Sequence, residues 1–221
     1  PLVGTKGLIL SGAMIDVALG LFLISRYLGE ARPSTPLTLY GAISIVVIGF
    51  VSFTVQFNPL ALASGVYRYG ESSFSAGDEV LYYQNGKTAS ISVVETNDGI
   101  KSIATNGKPD AAIYPSSMDY SSDEITMTML AALPLAIHPQ AQSLANIGLG
   151  SGLTTHTLLL SNEPALIDTI EIESTVVGAI EHFGATTENA LVDPRSNIII
   201  DDAKSFFSRN KKRYDVIVSE P

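Results

Sequence analysis

The sequence predicts an α/β fold, and three observations carry that prediction. An apolar strand runs into Asn146-Ile147-Gly148-Leu149-Gly150-Ser151-Gly152. Two further apolar runs end in Ile170-Glu171-Ile172-Glu173 and Ile200-Asp201-Asp202-Ala203. Two long, almost uncharged stretches precede all of this. The expected architecture is a Rossmann-like parallel sheet, truncated C-terminally. A small antiparallel β-hairpin domain and an N-terminal pair of transmembrane helices come before it.

The N-terminal third reads as membrane. Gly7–Ser25 is 19 residues with Asp16 as its only charge, and Leu37–Phe57 is 21 residues with none. Either is long enough for a bilayer core of roughly 30 Å at about 1.5 Å per residue. Arg26–Pro36 between them is charged and contains two prolines, which suits the loop of a helical hairpin. Tyr40, Phe53 and Phe57 fall near the ends of the second span, where aromatic rings favour the interface. Asp16 is an intramembrane carboxylate, and Gly12 and Gly20 beside it allow close approach of a further helix. Basic residues are balanced across the two sides, so orientation is not encoded.

A β-rich segment follows. Val80–Tyr83, Ala89–Glu95 and Ile100–Thr105 are short runs separated by Asn85-Gly86, Asn97-Asp98-Gly99 and Asn106-Gly107. Asn-Gly and Asp-Gly are strong hairpin signals because primed turns need positive φ. The reading is an antiparallel meander across 78–114. Pro115–Ser122 is polar and turn-prone, and Ile125–Ile137 has the length of a helix leading to His138-Pro139.

Strands and helices then alternate. Ser143–Ile147, Leu166–Ile172, Asn197–Ile200 and Tyr214–Ser219 read as strands. Leu153–Leu160, Thr175–Phe183 and Lys204–Arg209 read as helices, the second with Val176, Val177, Ile180 and Phe183 on one face. Such alternation implies βαβ units and a parallel sheet. A complete domain of this kind would add strands after Pro221, so the chain reads as an excerpt. The expected division is 1–71 membrane hairpin and linker, 72–120 β domain, and 121–221 Rossmann-like domain.

Composition narrows the function. The chain has 221 residues, 46% of them hydrophobic, no cysteine and a net charge of −9. Residues 1–70 hold four basic and two acidic residues, a net of +2, and the remainder nine basic and 20 acidic, a net of −11. So acidic a soluble part argues against a nucleic-acid partner, which needs clustered Lys and Arg. Without cysteine there are no disulfides or thiolate metal sites. His156 and His182 have no second ligand at metal spacing and read as helix-surface or packing residues, and Lys211-Lys212-Arg213 as a solvated turn.

The strand-end motifs carry the chemistry. A glycine-rich turn lets backbone N–H groups and a helix N-terminus approach a ligand without a Cβ in the way. Glu171, 23 positions after Gly148, is placed to accept hydrogen bonds from two ribose hydroxyls. The acidic pair after the third strand can take a donor such as an adenine amino group. The order G-x-G-x-G, rather than G-x-G-x-x-G, resembles the first motif of enzymes using S-adenosylmethionine or its decarboxylated form.

A more specific resemblance spans 78–221. The hairpins, Asn106-Gly107-Lys108, Leu133-Pro134-Leu135 with His138-Pro139, the glycine turn, Ile170-Glu171-Ile172-Glu173, Asp202-Ala203 and Tyr214-Asp215-Val216-Ile217-Val218-Ser219-Glu220-Pro221 resemble spermidine synthases. The two apolar spans resemble the bacterial branch in which a synthase-like domain is fused behind multi-span membrane helices. The resemblance implies transfer of an aminopropyl group from decarboxylated S-adenosylmethionine to a polyamine amine, without a metal. It implies Glu171 as the ribose ligand, Asp202 and Ala203 as the adenine contacts, and Gly148, Gly150 and Gly152 as the glycine turn. Glu220 stands where the family places the aspartate that draws a proton from the attacking amine. It also implies an inner-membrane location with the synthase-like domain in the cytoplasm.

Other positions depart from that family. The aspartate that holds the donor ammonium is Ser151 here. A Tyr-Gln pair lining the polyamine channel is replaced by Thr126-Met127, and a hairpin glutamine aligns with Ala89. The leading expectation is a membrane-anchored, synthase-like transferase with a small-molecule amine acceptor. Its expected partners are the lipid bilayer and a second copy in a homo-oligomer. The runner-up is an S-adenosylmethionine-dependent methyltransferase, and the third reading is a non-catalytic adenosyl-ligand sensor coupled to a transporter-like membrane half.

Overall fold

A computed structural model describes residues 4–27, 35–56, 58–66, 70 and 77–220. The chain divides into two units, Pro1–Asn58 and Pro59–Pro221. In the first, α1 (Gly4–Tyr27) and α2 (Thr35–Thr54) form the expected pair. Both are long and apolar enough to cross a membrane, with mean hydropathies of 2.2 over an 18-residue stretch within Lys6–Tyr27 and 2.0 over Leu37–Thr54. Ile15, Phe22, Ile45 and Phe50 are exposed on them. The second helix ends at Thr54, short of the expected end. Thr54 Oγ1 turns back onto Phe50 O at 2.8 Å, a bond that competes with the helix ladder. Phe57 and most of the connecting loop lie outside the described residues. No neighbour comes within 4 Å of the Cβ positions of Gly12 and Gly20, whereas Gly41 faces Leu21 Cδ1 at 3.7 Å. The two helices thus touch at Gly41, and again where Lys6 Nζ donates to Ser52 O at 2.6 Å.

The second unit opens with α3 (Pro59–Ala63) and carries two four-stranded sheets. The first is the expected meander, β1 (Glu79–Asn85), β2 (Ser90–Glu95), β3 (Lys101–Thr105) and β4 (Lys108–Ile113), antiparallel in the order β1-β2-β3-β4. Asn106 and Gly107 take φ of +50° and +76°, as a primed two-residue turn requires. The β1–β2 connection differs. Gly86 is not in the left-handed region, and its N–H donates to Ala89 O at 2.8 Å across a wider loop. The glycine there serves an approach described below rather than a primed turn.

The helix α4 (Ser122–Ile137) starts earlier than the apolar pattern suggested, because Ser121 and Glu124 form a reciprocal capping box. Then follow β5 (Ser143–Ile147), α5 (Leu153–Leu159), β6 (Leu166–Glu171), α6 (Thr175–Ile180), α7 (Asn189–Val192), β7 (Ser196–Ile200), α8 (Ala203–Arg209) and β8 (Val216–Ser219). The expected helix over Thr175–Phe183 passes into a 3-10 turn at Glu181–Thr186, where Gly184 breaks the helical angles at φ +62°. Val176, Ile180 and Phe183 are nevertheless buried together, as their spacing requires. The last strand starts at Val216, two residues late; just before it the Asp215 carboxylate accepts Gln142 N at 2.8 Å and Ser143 N at 2.9 Å, and the Tyr214 hydroxyl donates to Asp168.

The second sheet is all parallel, in the order β7-β6-β5-β8. The chain moves outward from β5 to β6 and β7, then returns to the opposite side of β5. Such a reversal of strand order leaves a crevice at the carboxyl ends of the central strands. Register aligns Ile147 with both Ile170 and Ser219. The residues that follow, Gly148, Glu171 and Glu220, therefore emerge side by side.

Candidate active site

The glycine turn leaves β5 held from below. Asn146 Nδ2 donates to Gly148 O at 2.9 Å and to Thr155 Oγ1 at 3.1 Å, and Thr155 meets Thr169 at 2.8 Å. Gly148 N donates to Ile170 O at 2.9 Å, and Glu220 N to Ile147 O at 2.9 Å. Two glycines admit the neighbouring strand end. Gly148 (φ +92°) and Gly150 (φ +51°) would carry Cβ atoms 2.6 Å from Glu220 O and Glu220 Oε1 respectively. An L-residue strains at those angles and collides as well.

Glu171 is buried at the end of β6. Its Oε2 accepts Leu149 N at 2.9 Å and its Oε1 accepts Glu173 N at 2.8 Å. A carboxylate oxygen accepts more than one hydrogen bond, so Glu171 can hold the turn and still receive ligand hydroxyls. Glu220 differs in kind. Its Oε2 is buried with no hydrogen-bond partner. Burial pushes its carboxyl up to about 7, the nearby Glu171 charge adds to that, and the Thr154 hydroxyl pulls the other way.

These groups line one cleft of about 610 Å³ in the second unit. The strand ends contribute Gly148, Gly150, Glu171, Ile172, Glu173 and Glu220. The meander supplies a wall with Thr88, Ala89, Lys108 and Asp110, and α4 adds Asp123, Thr126 and Met127. Among the described lining residues five are carboxylates and Lys108 is the cation, so the cleft favours a cationic ligand. Among the described residues no group of three or more His, Cys, Asp or Glu is arranged to hold a metal ion.

The remaining candidate residues lie elsewhere. Ser151 is fully buried, its hydroxyl against Met127 Sδ at 3.3 Å, and it does not line the cleft. Gly152 (φ +86°) starts α5 and faces Ile180 and Thr187. Asp202 caps α8 through Ser205 N at 2.8 Å, and Ala203 packs beside Ala145, Ile170 and Phe206. Neither lines the cleft, although Asp201 N reaches Glu171 O at 3.0 Å and keeps that strand end adjacent.

Lys212 departs from the expected solvated turn, whereas the two histidines pack as expected. Lys212 is not merely solvated, because its ammonium pairs with the buried Asp168 carboxylate, which Tyr214 and Asn197 also reach. Burial would raise Asp168, but these donors outweigh it and hold the carboxyl below the usual range. His156 Nδ1 accepts Asn189 N at 3.3 Å, and the His182 ring lies 5.5 Å from that of Tyr82 at a tilt of 48°, both packing roles.

Ile172, Glu173, Asp110 and Asp123 line the cleft without having carried an expected role. A signal existed for Glu173, which lies two residues beyond Glu171 and so shares its side in extended chain. Asp110 had none, since only sheet order brings β4 to the cleft.

Residues 124–220 match the family model described as Spermine/spermidine synthase domain. A polyamine aminopropyltransferase of Caldicellulosiruptor saccharolyticus is 28% identical over 141 residues, covering 63% of this chain and 48% of the relative. Polyamine aminopropyltransferase 1 of Pseudomonas aeruginosa is 32% identical over 93 residues, covering 42% and 32%. The chain thus spans about half the length of these curated relatives, or less. Among solved structures, spermidine synthase from Thermotoga maritima aligns with a TM-score of 0.54 at 23% identity, covering 64% of this chain and 47% of that one. A spermidine synthase in complex with the transition-state analogue AdoDATO aligns with the same score and identity. At that identity the likeness is one of fold.

Proposed function

We propose that this chain, which belongs to the spermine/spermidine synthase family through residues 124–220, moves an aminopropyl group from decarboxylated S-adenosylmethionine to an amine acceptor and releases methylthioadenosine. The observation that carries the reading is the pair of carboxylates, Glu171 and Glu220, flanking the Gly148–Gly150 turn in one acidic cleft. Glu171 would accept the ribose hydroxyls. Ile172, 53% exposed, offers an apolar face for the base. Asp202 and Ala203, at the next strand end, would meet the adenine edge.

Glu220 would act on the acceptor. The amine lone pair attacks the donor carbon bonded to the sulfonium, the carbon–sulfur bond breaks, and its electrons leave with sulfur as a neutral thioether. The amine proton passes to the Glu220 carboxylate. A base whose pKa is raised to about 7 suits a proton transfer near neutral pH. Acidic walls favour the decarboxylated donor, because S-adenosylmethionine brings a carboxylate that Glu220 and Glu173 would repel.

The same reading has α1 and α2 anchor the protein in a bacterial inner membrane, with the synthase-like domain on the cytoplasmic side. Their length and apolar composition support the anchoring. Incubation with putrescine and the decarboxylated donor, read by mass spectrometry, tests the reaction. Methylthioadenosine together with an aminopropylated amine is the expected result. S-adenosylhomocysteine from S-adenosylmethionine would instead mark a methyltransferase, and tight nucleoside binding with no product would mark a sensor.

A further inference from the structure

Glu173 lines the cleft, yet its carboxylate is engaged by the protein itself. It is 3% exposed. Its Oε2 accepts Thr88 N at 2.8 Å, Thr88 Oγ1 at 2.9 Å and Ala89 N at 3.4 Å. Its Oε1 accepts Thr175 N at 3.4 Å and Thr175 Oγ1 at 3.3 Å. One carboxylate thus joins the loop between β1 and β2 to the head of α6, across 85 positions of sequence. Burial alone would raise this carboxyl, but the donors from Thr88, Thr175 and Ala89 outweigh it and hold it below the usual range.

The hairpin is shaped around this side chain. A Cβ on Gly86 would lie 2.1 Å from Glu173 Oε1 and 2.2 Å from its Cδ. Gly86 does not adopt left-handed angles, so the close approach of Glu173 is what requires a glycine there. Thr88 and Ala89, which the carboxylate holds, themselves form part of the cleft wall.

We infer that Glu173 is a positioning residue that holds the Thr88–Ala89 wall at a fixed distance from Glu171, and so sets how tightly a donor fits between them. This rests on the adenosyl-donor reading of the cleft. Glu173 is linked to Glu171 through its own N–H, which donates to Glu171 Oε1. A shift of the loop would therefore be felt at the ribose side. Displacements of about 1 Å are enough to change rates and affinities by large factors.

The test uses the whole chain and four substitutions: Glu173→Gln, Thr88→Ala, Thr88→Ser and Gly86→Ala. A glutamine turns an NH2 group toward either the Thr88 or the Thr175 donors, and Gly86→Ala pushes the carboxylate away from the other side. Both should speed hydrogen exchange at the Thr88 and Ala89 amides. Each should weaken methylthioadenosine binding by roughly tenfold, and melting temperature should fall with it, because buried donors lose an acceptor. Donor KM should rise while kcat stays within about threefold. Thr88→Ala should weaken binding and Thr88→Ser restore it, which also carries the test if Glu173→Gln does not fold. Combining Gly86→Ala with Glu173→Gln should be no worse than the poorer single variant, because both break one contact. Unchanged affinity in Glu173→Gln, with wild type binding normally, would overturn this inference alone. So would Thr88→Ser behaving like Thr88→Ala. A wild-type protein that binds no methylthioadenosine would overturn the donor reading, and this inference with it.

Discussion

Glu220 and Gly150 meet across the carboxyl end of the parallel sheet, with the Oε1 of one lying 2.6 Å from where a Cβ of the other would be. The glycine turn therefore admits a carboxylate from β8 as well as a ligand. Gly150→Ala should cost about 1–2 kcal/mol from the left-handed backbone alone. It should also drive Glu220 out of place, so turnover should fall further than stability. Comparing melting temperature with turnover for this variant and for Gly20→Ala, whose Cβ position has no neighbour within 4 Å, checks the expectation.

Glu220 makes the protein's behaviour depend on pH. Its folded pKa of about 7 lies above the ordinary 4.5, so the folded state holds this proton more tightly than the unfolded chain. The associated stability is complete below about pH 4.5 and is lost as pH rises through about 7. Glu220→Gln, which stays neutral, should match wild type at pH 5 and melt higher than wild type at pH 8. Catalysis runs the opposite way. Wild-type turnover should rise through about pH 7 as the base ionises, and Glu220→Gln should lower it by about 10²–10⁴-fold with methylthioadenosine affinity little changed.

Glu171 supports its own turn, so its replacement should have two effects. Glu171→Gln loses an acceptor that Leu149 N or Glu173 N uses, and it loses charge-assisted bonds to ribose, each about 1.5–3 kcal/mol. Methylthioadenosine affinity should fall by roughly ten- to a hundredfold, and melting temperature should fall with it. Calorimetry showing normal affinity would remove Glu171 from the ligand site.

Ser151 offers a contrast. The family pattern puts an aspartate there, but the hydroxyl is buried against Met127. An ionised carboxylate in that position has no cation beside it and only the Leu153 N–H, 3.5 Å from the present hydroxyl, to set against its burial, which costs about 3 kcal/mol or more. Ser151→Asp should therefore destabilise the protein rather than tighten donor binding. A cooperative melt as high as wild type, with stronger binding of the decarboxylated donor, would show that the turn rearranges to bring residue 151 into the cleft.

The two apolar helices predict behaviour in extraction. With α1 and α2 in a bilayer, the full chain should stay in the membrane pellet through a high-pH wash and be released by detergent. Recovery in the aqueous fraction after that wash would remove the anchoring.

Much of the fold was legible in the residues themselves, because strands, helices and turns are written in local periods. Alternating Ile, Val, Ser and Thr marked β2 and β3, and Asn106-Gly107 marked the turn after them. Apolar strand ends followed by glycine or acid marked β5 and β6 with Gly148 and Glu171. The capping box that starts α4 was equally local and lay just outside the apolar pattern. Tertiary structure decided what those local signals cannot carry. The order β7-β6-β5-β8 brings Glu220 beside a glycine 70 residues earlier. The same folding carries Thr88 to Glu173 and turns Ser151 away from the cleft. Side-chain periodicity fixes what each segment becomes, whereas strand order and the backbone angles of a turn determine which distant groups meet and which way each one points.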